Sequence, residues 1–147
     1  MKSTGYAKYL TDLIRKERIQ KHFISLGVID AKTVTNELIN SHVFVLPSFI
    51  ENSPNSLGEA MLLGTPSIAS FVGGVPSMVD DGETALCFPS GDAVLLAEKI
   101  RCIFLDDDLA GQLSYRAKII ALKRLSRDTI TSTMLDIYSK EIDIQNK

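Results

Sequence analysis

A chain of 147 residues is the size of one domain, and such a domain buries roughly 68–70% of the surface its unfolded chain exposes, so a real core is available. With 45% hydrophobic residues, 23% charged residues and a formal net charge of −2, it has neither a basic footprint for nucleic acid nor an acidic tail. No apolar stretch approaches the roughly 20 residues of a membrane span, and Met1-Lys2-Ser3-Thr4-Gly5 lacks the apolar core of a signal peptide, so a cytoplasmic protein is expected.

Thr4 to Arg18 places Tyr6, Tyr9, Leu10, Leu13 and Ile14 at i, i+3, i+4 spacing, with Ile19 just beyond, which predicts a helix laid on a sheet. Phe23 to Leu26 reads as a short strand closed by Gly27, and Lys32 to Asn40 as a helix with Val34, Leu38 and Ile39 inward. Val43-Phe44-Val45-Leu46 is a continuously apolar strand ending at Pro47. A helix is expected from Asn55 to Leu63, stopped by Gly64-Thr65-Pro66, and a strand from Ser67 to Ser70. Gly73-Gly74-Val75-Pro76 opens a short helix through Val79, Asp80-Asp81-Gly82 is a turn, and Ala85 to Phe88 is the last strand. Beyond Pro89 the pattern is helical, over Asp92 to Leu105, Asp107 to Leu122 and Asp128 to Ile142. Strands alternating with helices argue for one α/β domain over residues 1–147, a Rossmann-like, doubly wound parallel sheet with a helical C-terminal extension.

The chemistry is concentrated in Glu51-Asn-Ser-Pro-Asn-Ser-Leu-Gly-Glu59, a loop and the start of a helix placed after a parallel strand. Open α/β sheets bind ligands at the carboxyl ends of their strands. The amides of Asn55, Ser56 and Leu57 are the expected unpaired first-turn donors, suited to a phosphate, with Asn55 or Ser53 as the helix cap. Gly73-Gly74 is either a loop that must approach a ligand closely or a plain tight turn, both of which need glycine. Cys87 and Cys102 lack metal or redox spacing and are expected as buried thiols. His22 and His42 are expected to be structural, and Asp106-Asp107-Asp108 to cap a helix rather than bind metal.

Taken in order, Val43-Phe-Val-Leu-Pro-Ser48, Glu51-x7-Glu59, Gly64-Thr-Pro-Ser-Ile-Ala-Ser70, Gly73-Gly-Val-Pro76 and Asp81-Gly82 resemble the C-terminal domain of GT-B retaining glycosyltransferases of family 4, the glycosyl transferases group 1. The resemblance covers about residues 4 to 140. It implies a glycosyltransferase of hexosyltransferase type that uses a nucleotide sugar, UDP- or GDP-linked, and no cofactor or metal. It implies that Glu59 accepts hydrogen bonds from the ribose hydroxyls of the donor, as an acceptor-only carboxylate can. Glu51 would be the catalytic carboxylate beside the transferred sugar; Asn55, Ser56 and Leu57 would hold the diphosphate, and Gly73 and Gly74 would approach the donor.

The resemblance also implies parts not present here: two further strands carrying an arginine or lysine pair, and an N-terminal acceptor-binding domain. On that expectation the chain alone transfers little or no sugar, and its open sheet edges are closed by Phe23–Leu26 pairing directly with Val43–Leu46 or by a second copy in a homodimer. The exposed apolar face of the last helix, with Leu135, Ile137, Tyr138 and Ile142, should fray or self-associate. The family's frequency suggests polysaccharide or cell-envelope glycan synthesis. A non-catalytic nucleotide-binding or interaction subunit of a split enzyme is the alternative; a dinucleotide-dependent dehydrogenase is disfavoured because no Gly-x-Gly-x-x-Gly follows a strand.

Overall fold

A computed structural model describes residues 5–145, so Thr4, where the first helix was expected to begin, lies outside the described residues. The chain divides into two compact units between Ala31 and Lys32.

The first unit holds helix α1 (Tyr6–Lys16) and a single 3-10 turn, Gln20–His22. The i, i+3 spacing of Tyr6 and Tyr9 stacks their rings with centroids 6.0 Å apart. The expected strand at Phe23–Leu26 does not form: these residues are irregular, and Phe23, Ile24 and Leu26 are exposed. A short apolar run becomes a strand only where a neighbouring ladder takes its N–H and C=O groups, and none of the described strands pairs with it. The expected pairing of Phe23–Leu26 with the strand after His42 is therefore absent.

The second unit is built on a parallel sheet in the order β1 (Phe44–Leu46), β2 (Ser67–Ser70), β3 (Leu86–Phe88). Phe44, Val45 and Leu46 lie opposite Ser67, Ile68 and Ala69, and Ile68, Ala69 and Ser70 opposite Leu86, Cys87 and Phe88. Helices α2 (Ala31–Ile39), α3 (Asn55–Leu63), α4 (Ala93–Leu105), α5 (Asp107–Arg124) and α6 (Arg127–Gln145) complete it, with a 3-10 turn at Val75–Ser77.

Strand periodicity sends alternate side chains to opposite faces, and the core follows it. Ala69 and Cys87, with Phe44 and Leu46, pack with Leu57 and Met61 of α3, and with Ala117 and Ala121 of α5. Ile68, Leu86 and Phe88 pack on the other face with Ile103 of α4 and Leu113 of α5. Both faces are covered, as a doubly wound sheet requires, and β2 at the centre is buried throughout.

The helix ends follow their sequence signals. Gly64, at φ 79°, ends α3 in a Schellman arrangement, with its own N–H on Met61 O and that of Thr65 on Ala60 O. Asp92 and Asp106 cap α4 and α5 through Leu95 N and Leu109 N, so the aspartate run serves as a helix start. At the outer edge of β3, the Cys87 N–H donates to Asp81 Oδ1 at 2.7 Å and the Gly82 N–H to Ala85 O at 2.8 Å. Among the residues of α6 whose side chains are described, none is buried: Leu135, Ile137, Tyr138 and Ile142 are all exposed.

The two thiols differ, contrary to the expectation that both are buried. Cys87 is buried and Cys102 is exposed, because the helical period turns Ile103 inward and leaves its neighbour outside. Burial above all, then the Asp81 carboxylate, pushes the Cys87 thiol up from 9.0 to about 11, with Lys99 pulling weakly the other way. The stability this neutral thiol contributes is therefore complete below about pH 9 and is lost as the pH rises toward 11. Because only thiolate alkylates, iodoacetamide at pH 8 is expected to label Cys102 at least about ten times faster than Cys87 in the folded protein. Equal labelling rates by mass spectrometry would contradict the packing of Cys87.

Candidate functional site

Strand β1 ends at Leu46, and Pro47 turns the chain out at the carboxyl end of the sheet. Three strand exits then meet at Ser48. Its carbonyl accepts from Ser70 Oγ at 2.6 Å and from Ser90 Oγ at 3.0 Å, so the residues that close β2 and follow β3 both hold it. The Ser48 hydroxyl donates to Glu51 Oε1 at 2.6 Å. From the other side, the Gly74 N–H reaches Glu51 O at 3.3 Å.

The reason for two glycines at 73 and 74 is now physical. A Cβ on Gly73 would lie 1.7 Å from Glu51 O, and one on Gly74 1.5 Å from Asn52 O. Gly73 also has φ +53°, a conformation that favours glycine. The loop after β2 thus lies against the backbone of the Glu51 loop, and the close approach that glycine permits is made to Glu51–Asn52.

Asn55 begins α3 behind Pro54, whose fixed φ of −68° sets the entry. Contrary to expectation, neither Asn55 nor Ser53 caps the helix with its side chain; the Ser53 hydroxyl faces Met78 Sδ at 3.8 Å. The first turn closes tightly, and both the Leu57 and Gly58 N–H groups donate to Pro54 O, at 3.1 and 3.3 Å. The Leu57 amide is therefore engaged rather than unpaired, and the Asn55 and Ser56 amides remain as the first-turn donors. Leu57 itself is fully buried and anchors this turn in the core, while Asn55 and Ser56 are exposed.

Glu59 is exposed, four residues after Asn55 and on the same side of α3. Both line a groove of about 270 Å³ with Ser53, Gly58, Met78 and Arg124. Arg124 Nη1 donates to Ser77 O, which ties the end of α5 to the turn that follows Gly74. The structure therefore makes two neighbouring groups of the expected residues. Glu51, Gly73 and Gly74 share one loop contact, Asn55 and Glu59 share the groove, and Asn52-Ser53 joins them along the chain. Neither glutamate takes part in an ion pair among the described residues.

Two participants were not singled out from the sequence. Ser48 enters the sequence reading only as the last residue of the Val43–Ser48 motif, although a serine three residues before a glutamate is within reach of its carboxylate. Arg124 carries no local signal, being brought to the groove only by the packing of α5 on α3. His42 stacks on Phe104, with ring centroids 5.3 Å apart, and takes the structural role expected of it. Among the described residues, no grouping of three or more His, Cys, Asp or Glu side chains is set to hold a metal ion, and no helix is long and apolar enough to cross a membrane.

Comparison with known proteins gives this geometry a lineage. The 2-deoxystreptamine N-acetyl-D-glucosaminyltransferase of Niallia circulans is 27% identical over 90% of this chain and 34% of its own length. The glycogen synthase of Mycobacterium tuberculosis is 31% identical over 88% of this chain and 31% of its own. The chain thus spans about a third of the length of the curated relatives it matches. Among solved structures, the sucrose-phosphate synthase of Thermosynechococcus elongatus superposes with a TM-score of 0.84 at 28% identity, covering 94% of this chain and 35% of that one. Anabaena HepE, solved with UDP, has the same fold, with a TM-score of 0.84 at 23% identity over 92% of this chain and 37% of that one. The family model described as glycosyl transferases group 1 matches residues 3–119, and with the GT-B fold of these neighbours it establishes that this chain belongs to the glycosyl transferases group 1 family.

Proposed function

We propose that this chain is the donor-binding portion of a retaining glycosyltransferase that moves a sugar from a UDP- or GDP-linked donor to a glycan or lipid-linked acceptor, as in the synthesis of polysaccharide. The observation that carries this reading is the amino-terminal turn of α3, with the Asn55 and Ser56 amides and the Glu59 carboxylate at the carboxyl end of the sheet. Those amides and the positive end of the helix suit a diphosphate, and the acceptor-only carboxylate suits the ribose diol. Glu51 is half-buried at the strand exits, which is compatible with our assigning it the role of the carboxylate beside the transferred sugar, where fixed charge stabilises an electron-poor anomeric centre. Gly73 and Gly74 act by letting their loop close on Glu51 without intervening side chains. UDP ranks first among donor nucleotides because Anabaena HepE, which shares the fold, was solved with UDP and with UDP-glucose.

Calorimetric titration with UDP, GDP and ADP tests the reading, with Glu59→Ala alongside. One nucleotide is expected to bind, and the variant to bind it roughly 100-fold more weakly, the loss of two hydrogen bonds to a charged group. Equal binding by the variant would remove Glu59 from the site. No nucleotide binding by the folded chain would favour the interaction subunit instead.

A further inference from the structure

We propose that Ser48 is a positioning residue for Glu51, fixing which carboxylate oxygen that side chain presents to its ligand. The inference rests on the reading of Glu51 as the carboxylate beside the transferred sugar. A glutamate on an exposed loop ordinarily samples many rotamers, and a ligand that needs one of them must order the side chain on binding. Here the ordering is done beforehand. The Ser48 hydroxyl donates to Oε1 at 2.6 Å, the short length of a charge-assisted O–H···O⁻ bond. No hydrogen bond within the described residues reaches Oε2, which stays available as an acceptor.

A positioning group is useful only if it is itself fixed, and Ser48 is. Ser70, fully buried on β2, gives its hydroxyl to Ser48 O at 2.6 Å and shares it with Leu46 O at 3.3 Å. Ser90, beyond β3, adds a second hydroxyl at 3.0 Å. The Gly74 N–H on Glu51 O holds the other end of the glutamate's backbone. A strand-end serine needed only for shape requires none of this convergence on its carbonyl, nor a hydroxyl aimed at the carboxylate three residues on. Ser48 thus transmits the rigidity of all three strands to one carboxylate oxygen, and does so without touching substrate.

The proposal has a readout that needs no ligand. Side-chain NMR of Glu51 is expected to show a single rotamer in the wild type, averaging in Ser48→Ala, and a single rotamer again in Ser48→Thr, which keeps the hydroxyl. Ser48→Ala loses the charge-assisted bond and should melt somewhat lower, with Ser48→Thr restoring it, whereas a merely structural serine would change stability without changing the Glu51 rotamer. Averaging in the wild type, or no rescue by threonine, would overturn the proposal. Titration with UDP and UDP-glucose, and with GDP and GDP-mannose, then gives the gain in affinity due to the sugar. Ser48→Ala should cut that gain about tenfold and leave diphosphate affinity within about twofold. Glu51→Gln separates the two layers. A sugar gain unchanged in Glu51→Gln defeats the reading of Glu51; a gain lost in Glu51→Gln but kept in Ser48→Ala defeats the role of Ser48 alone.

Discussion

Gly74→Ala is expected to unfold the loop that carries Glu51 and to lower the thermal midpoint of the protein by about 10 °C, the equivalent of about 3–5 kcal/mol. The added methyl would meet Asn52 O at 1.5 Å and Asn52 C at 2.7 Å. These are backbone atoms, so no rotamer change relieves the clash; the two loops must separate and break the bond from the Gly74 N–H to Glu51 O. Gly82→Ala supplies the control. Gly82, unlike Gly74 at φ −83°, has a positive φ, +79°, but an added Cβ finds nothing within 4 Å, so only the conformational cost of about 1 kcal/mol is expected. Thermal unfolding followed by circular dichroism checks both. A Gly74→Ala midpoint close to that of Gly82→Ala would show that the loops are not in contact in solution.

The second large effect is expected at Leu57, whose side chain and amide have separate duties. The side chain is fully buried among Met61, Val75, Val79 and their neighbours, so Leu57→Ala deletes core volume and should cost about 3 kcal/mol, within the usual range for buried leucine. Its N–H stays bonded to Pro54 O, and the exposed Asn55 and Ser56 amides lie ahead of it in the same turn. Nucleotide affinity, measured well below the variant's melting temperature, should therefore change by less than about threefold, a shift under 1 kcal/mol. Chemical denaturation gives the first quantity and calorimetry the second. A variant that lost binding in proportion to stability would show that the first turn of α3 is ordered only by its core contact.

Local chemistry was legible where it decides structure by itself. Asn55–Leu63, its glycine stop and the strand Ser67–Ser70 are found with the expected bounds, because a left-handed glycine followed at once by Thr65-Pro66 leaves few other solutions. Asp106 was rightly read as a helix cap for the same reason. Properties that depend on a distant partner were not legible. Phe23–Leu26 has the composition of a strand, but nothing in those residues says whether a ladder lies beside them. The apolar surroundings of Cys102 did not reveal its side of the helix, though the period of α4 turns it outward. At the site, the need for glycine at 73 and 74 was visible, whereas the identity of what they approach required the fold. Pro54 displaced the expected side-chain cap because its carbonyl takes two first-turn amides, a choice that composition alone does not distinguish.

The outer side of β3 has a consequence for how this sheet can grow. With the Cys87 N–H occupied by Asp81 and the Ala85 carbonyl by Gly82, β3 offers an incoming chain no ready row of donors and acceptors. At β1, the other end of the described sheet, Val45 has a strand on one side only. Extension is therefore directional: a further strand, from whatever source, adds beside β1, and the same polarity makes that margin the place where unwanted cross-pairing between molecules would nucleate.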